Sequence, residues 1–159
     1  AIFFHGSIIK FLKATENAIG STVGILIQFP LYFGIMGMFQ STGIIQDFSE
    51  FFQNISNETT YPIFTFISAG IVNFFVPSGG GQWYIQGPLV IQSAIEMGIP
   101  LNKSIMALAY GDQLTNMMQP FWAIPLLGIT GLKAKDILPF TFILMIVGFM
   151  VFTIGLLVF

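Results

Sequence analysis

The sequence predicts an all-α, polytopic integral membrane protein with a re-entrant helical hairpin and a broken transmembrane helix. Three observations carry that prediction. Of 159 residues, 55% are hydrophobic and only 8% charged, where a soluble domain carries about 25% charged residues. The mean hydropathy is +0.85. Residues 59–95 hold no charge, yet they contain "FFVPSGGGQWYIQGP", whose prolines, three consecutive glycines and two glutamines are poor material for a membrane helix.

The same composition excludes several functions. A net charge of −2 is too small to imply a nucleic acid or another polyanionic partner. The absence of cysteine excludes a disulfide framework, a thiolate metal site and a cysteine nucleophile. No basic flank precedes an apolar core at the start, so a cleavable signal peptide is not expected. The start at Ala1 and the apolar end "LLVF" read as a piece of a longer membrane protein, a single transmembrane domain fragment.

Each element follows in order. Residues 1–17, with "IIKFLKATEN", read as a short amphipathic interfacial segment. Residues 18–40 supply the roughly 20 apolar residues of a transmembrane helix, with a kink expected at Pro30. Residues 41–58 hold Asp47, Glu50 and Glu58, with Phe48, Phe51, Phe52 and Ile55 at helical spacing. They read as an external loop carrying a surface helix. Residues 59–97 are too long for one crossing and too short for two, and the break at Pro77–Gly81 makes them a re-entrant hairpin. Residues 103–127 read as a broken transmembrane helix with its irregular point near Gly111. Residues 137–159 are an uncharged last span.

The lysines set the path, because cytoplasmic flanks carry the positive excess. Lys10 and Lys13 place the entry of the first span inside, and Lys133 and Lys135 place the start of the last span inside. Only one net crossing then lies between residues 59 and 132, so one middle segment re-enters and the other crosses. Lys103, outside, is the single dissenter.

Irregular backbone in hydrocarbon leaves polar groups that cost several kcal/mol each unless something binds them. In "PSGGGQW", Ser78, Gly79, Gly80 and Gly81 are expected to form a nest of N–H donors with positive φ. Ser78 and Gln82 add side-chain donors, and a helix over Trp83–Ser93 turns its positive end to the nest. That arrangement suits an anion; packing glycines are the bland alternative. Asp112 is the only ionisable residue deep in an apolar run, and Gln113, Thr115, Asn116 and Gln119 surround it with oxygens. The group can hold Na+ or let Asp112 take up a proton; the alternative is a carboxylate that caps a helix. Asn73 either braces the hairpin or joins Asp112, Thr115 and Asn116 at the ion. His5 reads as a surface residue, while Tyr84, Tyr110 and Trp122 suit a site lining or interfacial packing equally.

"NFFVPSGGGQW" with the following "QGP", and "GDQLTNMMQPFWAIPLLGITGL", resemble the bacterial short-chain fatty acid transporters. The resemblance runs from "ILIQFPLYFGIMGM" at Ile25 to the carboxyl end. It implies a secondary transporter of the bacterial inner membrane, multi-pass, moving butyrate, acetoacetate and similar short carboxylates. It implies an inverted-repeat architecture in which this chain is one half and the amino-terminal half supplies the matching hairpin. Ser78, Gly79, Gly80, Gly81, Gln82 and Gln86 are then the substrate-binding positions. The expected partners are a small carboxylate, the lipid bilayer and the other half of the transporter, and a homodimer is compatible. No cofactor is expected beyond Na+ or H+ as coupling ion. The competing readings are a channel or structural membrane subunit, and an intramembrane serine hydrolase using Ser78 with His5 as base. The hydrolase fares worst, because His5 lies some seventy residues away on the flank.

Overall fold

The computed structural model describes residues 2–158; Ala1 of the interfacial segment and Phe159 of the last span lie outside the described residues. All regular structure among the described residues is helical. Two short helices, α1 (Ile2–His5) and α2 (Ile8–Ala18), open the chain. Ser7 caps α2 by accepting a hydrogen bond from the Lys10 N–H at 3.2 Å. A 3-10 turn over Ile19–Thr22, in which the Thr22 hydroxyl donates back to the Ile19 carbonyl, delays the expected first span. It begins as α3 (Val23–Thr42), and Pro30 lies within the helix. Gly43, at φ 75°, ends α3 in the left-handed conformation and turns the chain into α4 (Ile44–Asn54). The amphipathic α4 is the surface helix expected over 41–58, and it buries Ile45 and Ser49.

Next come α5 (Tyr61–Phe75) and α6 (Gly79–Glu96), separated by three non-helical residues. They form an antiparallel helical hairpin. The Tyr61 hydroxyl donates to the Val90 carbonyl, the Gln82 amide to the Ala69 carbonyl, and the Gln86 amide to the Ser68 hydroxyl. At 1.5 Å per residue the arms are about 22 and 27 Å long, short of a hydrocarbon core of about 30 Å.

The last part comprises α7 (Leu101–Asn116), α8 (Pro120–Thr130) and α9 (Ala134–Val158). The expected irregular point near Gly111 is not there: α7 is helical through that glycine, and the interruption lies at Met117–Gln119. The physical reason is Pro120, which disfavours helical conformation in the residue before it. Gln119 accordingly adopts φ −85°, ψ 110°.

Helices α5 and α7 run parallel and nearly touch, since their contacts advance together along both chains. Phe66 packs with Ala107 and Leu114, Gly70 faces Gly111, and Asn73 reaches Thr115. Helix α9 returns antiparallel to α7, with Tyr110 stacked on Phe152 at 4.4 Å and Gly148 against Leu114. Helix α3 runs antiparallel to α8, pairing Gly24 with Ile124 and Phe29 with Phe121. Most α9 side chains are exposed and apolar; this 25-residue helix is by itself long and apolar enough to cross a membrane.

Candidate functional site

Because α5 and α7 are parallel, their carboxyl ends arrive at the same level. The amino ends of α6 and α8 start from the same place. Four helix ends therefore meet around the two breaks, with negative ends from α5 and α7 and positive ends from α6 and α8. This is a polar centre built by backbone direction before any side chain is considered.

Asn73, in the last turn of α5, is fully buried and ties the breaks together. Its side-chain amide lies 2.9 Å from three acceptors: the Asp112 carbonyl, the Thr115 hydroxyl and the Asn116 side-chain oxygen. A primary amide has two protons for these three oxygens. In return, the Gln119 amide donates to the Asn73 carbonyl at 2.7 Å, an orphan carbonyl of the α5 end. Asn116 also accepts from the Trp122 indole N–H at 2.8 Å, which links α7 to α8 across the interruption. The four residues expected at the ion, Asn73, Asp112, Thr115 and Asn116, are thus brought together. Gln119 completes the group.

The centre is rich in acceptors and poor in donors. The Asn73 side-chain oxygen, one Asp112 carboxylate oxygen and the Gln119 side-chain oxygen are all buried with no hydrogen-bond partner. Buried polar atoms are almost always paired, so three such oxygens on adjoining residues mark a place that suits a positive charge. Among the described residues no three His, Asp or Glu side chains are placed to hold a metal ion together. A cation here would meet mainly neutral oxygens and one carboxylate, the hard donor set that Na+ takes at broken helices.

Gly79, Gly80 and Gly81 lie at the amino end of α6, but not as the expected nest. None of the three has positive φ; they form the first helical turn, so α6 starts four residues earlier than Trp83. Ser78 is the reason. In extended conformation, it caps the helix by accepting from the Gly81 N–H at 3.2 Å, an interaction worth about 1 kcal/mol. The glycines' role is close approach. A Cβ built on Gly79 would touch the Asp112 carboxylate at 3.5 Å, and one on Gly81 would crowd the Met36 sulfur at 3.1 Å. Gly80 faces open space. Gly80→Ala is therefore expected to leave thermal stability in detergent unchanged or raise it by about 0.5 kcal/mol, through lower unfolded-state entropy. A fall of several degrees would mean that the glycine turn is strained after all.

Gln82 and Gln86 are placed differently from the glycines. Both are fully buried between α5 and α6, and their amides brace the hairpin through Ala69, Ser68 and each other. Spacing i, i+4 put them on one helix face, a signal of bracing that was available in the sequence. Of the aromatics, Trp122 borders the centre, Tyr110 packs on α9, and Tyr84 is exposed. His5 lies in α1, its ring 5.6 Å from that of Phe11, and the Ser78 hydroxyl is engaged as the cap of α6.

With this geometry in view, comparison with known proteins decides the family. The whole chain, residues 1–159, matches the short chain fatty acid transporter family. The chain belongs to that family. A Haemophilus influenzae protein named "Putative short-chain fatty acid transporter" is 48% identical over 155 residues, and an Escherichia coli K12 protein of the same name is 45% identical over 158. The matches cover 98% and 99% of this chain but only 35% and 36% of the relatives, so the chain spans about a third of their length. No solved structure matches it significantly. The family is one of transporters and not of enzymes, which removes the hydrolase reading.

Proposed function

We propose that this chain is the substrate- and ion-binding part of a secondary active transporter of short-chain fatty acids in the bacterial inner membrane. Butyrate, acetoacetate and similar carboxylates are its substrates. It works with the remaining two thirds of the transporter, which carries the opposing hairpin. The hairpin α5–α6 re-enters from the outside, and α7–α8 crosses inward beside it. The parallel course of α5 and α7 supports that path, because it brings both breaks to one depth.

One observation carries the mechanism: the carboxylate of Asp112 stands beside Gly79, at the positive end of α6. That helix end is where a substrate carboxylate would bind, through backbone N–H groups that have no intrahelical partner. Two carboxylates cannot share it while both are charged, because like charges a few Å apart in a low dielectric repel strongly. A cation has to neutralise Asp112 first. The unpaired oxygens of Asn73, Asp112 and Gln119 offer Na+ a seat, and a proton on Asp112 would serve the same purpose. Ion and anion then bind together, which is symport.

Counterflow with labelled butyrate, in proteoliposomes of the full-length protein, tests this. Exchange is expected to require a cation, and accumulation is expected to follow either the sodium or the proton gradient. Flux that saturates with neither gradient and equilibrates passively would instead identify a channel.

A further inference from the structure

A cavity of about 110 Å³ opens against the break, between α3, α8 and the hairpin tip. Phe29, Phe33 and Met36 line it from α3, Phe121 and Trp122 from α8, and Ser78 stands at its polar end. The walls are fixed. Phe29 stacks on Phe121 with ring centres 4.4 Å apart, Phe121 meets Trp122 edge-on at 5.0 Å, and the Trp122 indole is held by Asn116. Met36 lies at the glycine end, its sulfur close to Gly81. Phe29 is seven residues away along α3, about 10 Å at 1.5 Å per residue, and its stacking on Phe121 closes the far end.

We infer that this aromatic cavity seats the alkyl chain of the transported acid, and that Phe29 sets the longest chain admitted. The inference rests on the carboxylate reading of the α6 amino end and extends it to the rest of the molecule. One end of the cavity is at Pro77 and Ser78, where α6 begins, and the rest is mainly hydrocarbon and aromatic carbon with the Tyr32 ring edge-on to Phe121, the two chemistries of a fatty acid in the right order. Size decides the class. An apolar cavity of roughly 150 Å³ admits benzene, with six carbons; this one has about three quarters of that volume, so it fits an unbranched tail of about four carbons, that of a five-carbon acid. A longer acid would have to displace Phe29 from Phe121.

The test is inhibition of labelled butyrate exchange by unbranched acids of two to eight carbons, in the full-length protein. Unsubstituted, inhibition is expected to peak near four carbons and fall beyond five. Phe29→Ala should move that limit outward by about two carbons. Each newly buried methylene strengthens binding about fourfold, so hexanoate should gain about tenfold or more relative to butyrate. Phe29→Leu, a smaller change that keeps the wall apolar, should give a shift of the same sign and guards against misfolding of the alanine protein. An unchanged order of acids in a variant that still exchanges butyrate would overturn the assignment of the cavity while leaving carboxylate binding standing. Loss of butyrate exchange in the unsubstituted protein would sink both.

Discussion

Gly111→Leu is expected to yield no folded protein, and Gly111→Ala to lose about 2–3 kcal/mol, the upper range of overpacking penalties. The reason is the crossing of α5 and α7. A Cβ on Gly111 would collide with the Phe66 carbonyl oxygen and stand 2.6 Å from the Ala69 Cβ and 2.8 Å from the Gly70 nitrogen. All three are main-chain or Cβ atoms, so no side chain can rotate away, and the helices must separate. Separation is felt one turn further on, where the Asn73 amide reaches its three α7 acceptors at 2.9 Å. Gly70 provides the contrast. Its Cβ would meet the Thr115 methyl at 3.3 Å and the Gly111 carbonyl at 3.5 Å, so Gly70→Ala should cost much less than Gly111→Ala. Thermal unfolding of the full-length protein in detergent reads both. Equal melting temperatures for Gly111→Leu and the unsubstituted protein would mean that the two helices do not touch there.

Gly111 also shows where sequence reasoning stops. Composition alone indicated the helical membrane class, because it reports the solvent and not the packing. The break near Pro77–Gly81 was legible as well, since proline and glycine act on local backbone. At Gly111 the local cue misled: "YGDQLTN" is polar enough to suggest unwinding, but its glycine serves contact with a helix forty residues earlier. The true interruption had its own signal in Pro120, at the end of "NMMQP". The triple glycine misled in a similar way. Three glycines permit positive φ, but Ser78 as cap makes them an ordinary first turn. Phe29, Phe33 and Met36 stand at helical spacing in α3, a pattern left unused in reading the sequence. Their partners were not legible, because Phe121 and Trp122 come some ninety residues later and only the fold unites them.

Asp112→Asn is expected to abolish gradient-driven accumulation while leaving butyrate exchange in place. The substitution keeps the shape of the side chain and removes its charge. Its close fit against Gly79, where a methyl added to the glycine would lie 3.5 Å away, therefore survives. Two consequences follow from the position of the carboxylate. The positive end of α6 no longer faces a resident anion, so substrate carboxylate can reach it without a cation. Among the unpaired buried oxygens of the described residues, the one charged group also disappears, leaving neutral amides at the centre that bind a cation far less strongly. Substrate therefore moves, but nothing ties its movement to an ion. Uptake by the Asn protein should stop at the equilibrium level, and its exchange should lose cation dependence. Asn73→Ala should behave differently. It removes the amide that joins α5 to α7, leaves the Thr115 hydroxyl without that donor and the Asn116 oxygen with the Trp122 indole alone, so stability and exchange fall together. The pair of variants separates coupling from architecture. Full concentrative uptake by Asp112→Asn would make the carboxylate a helix brace and return the ion to some other part of the transporter.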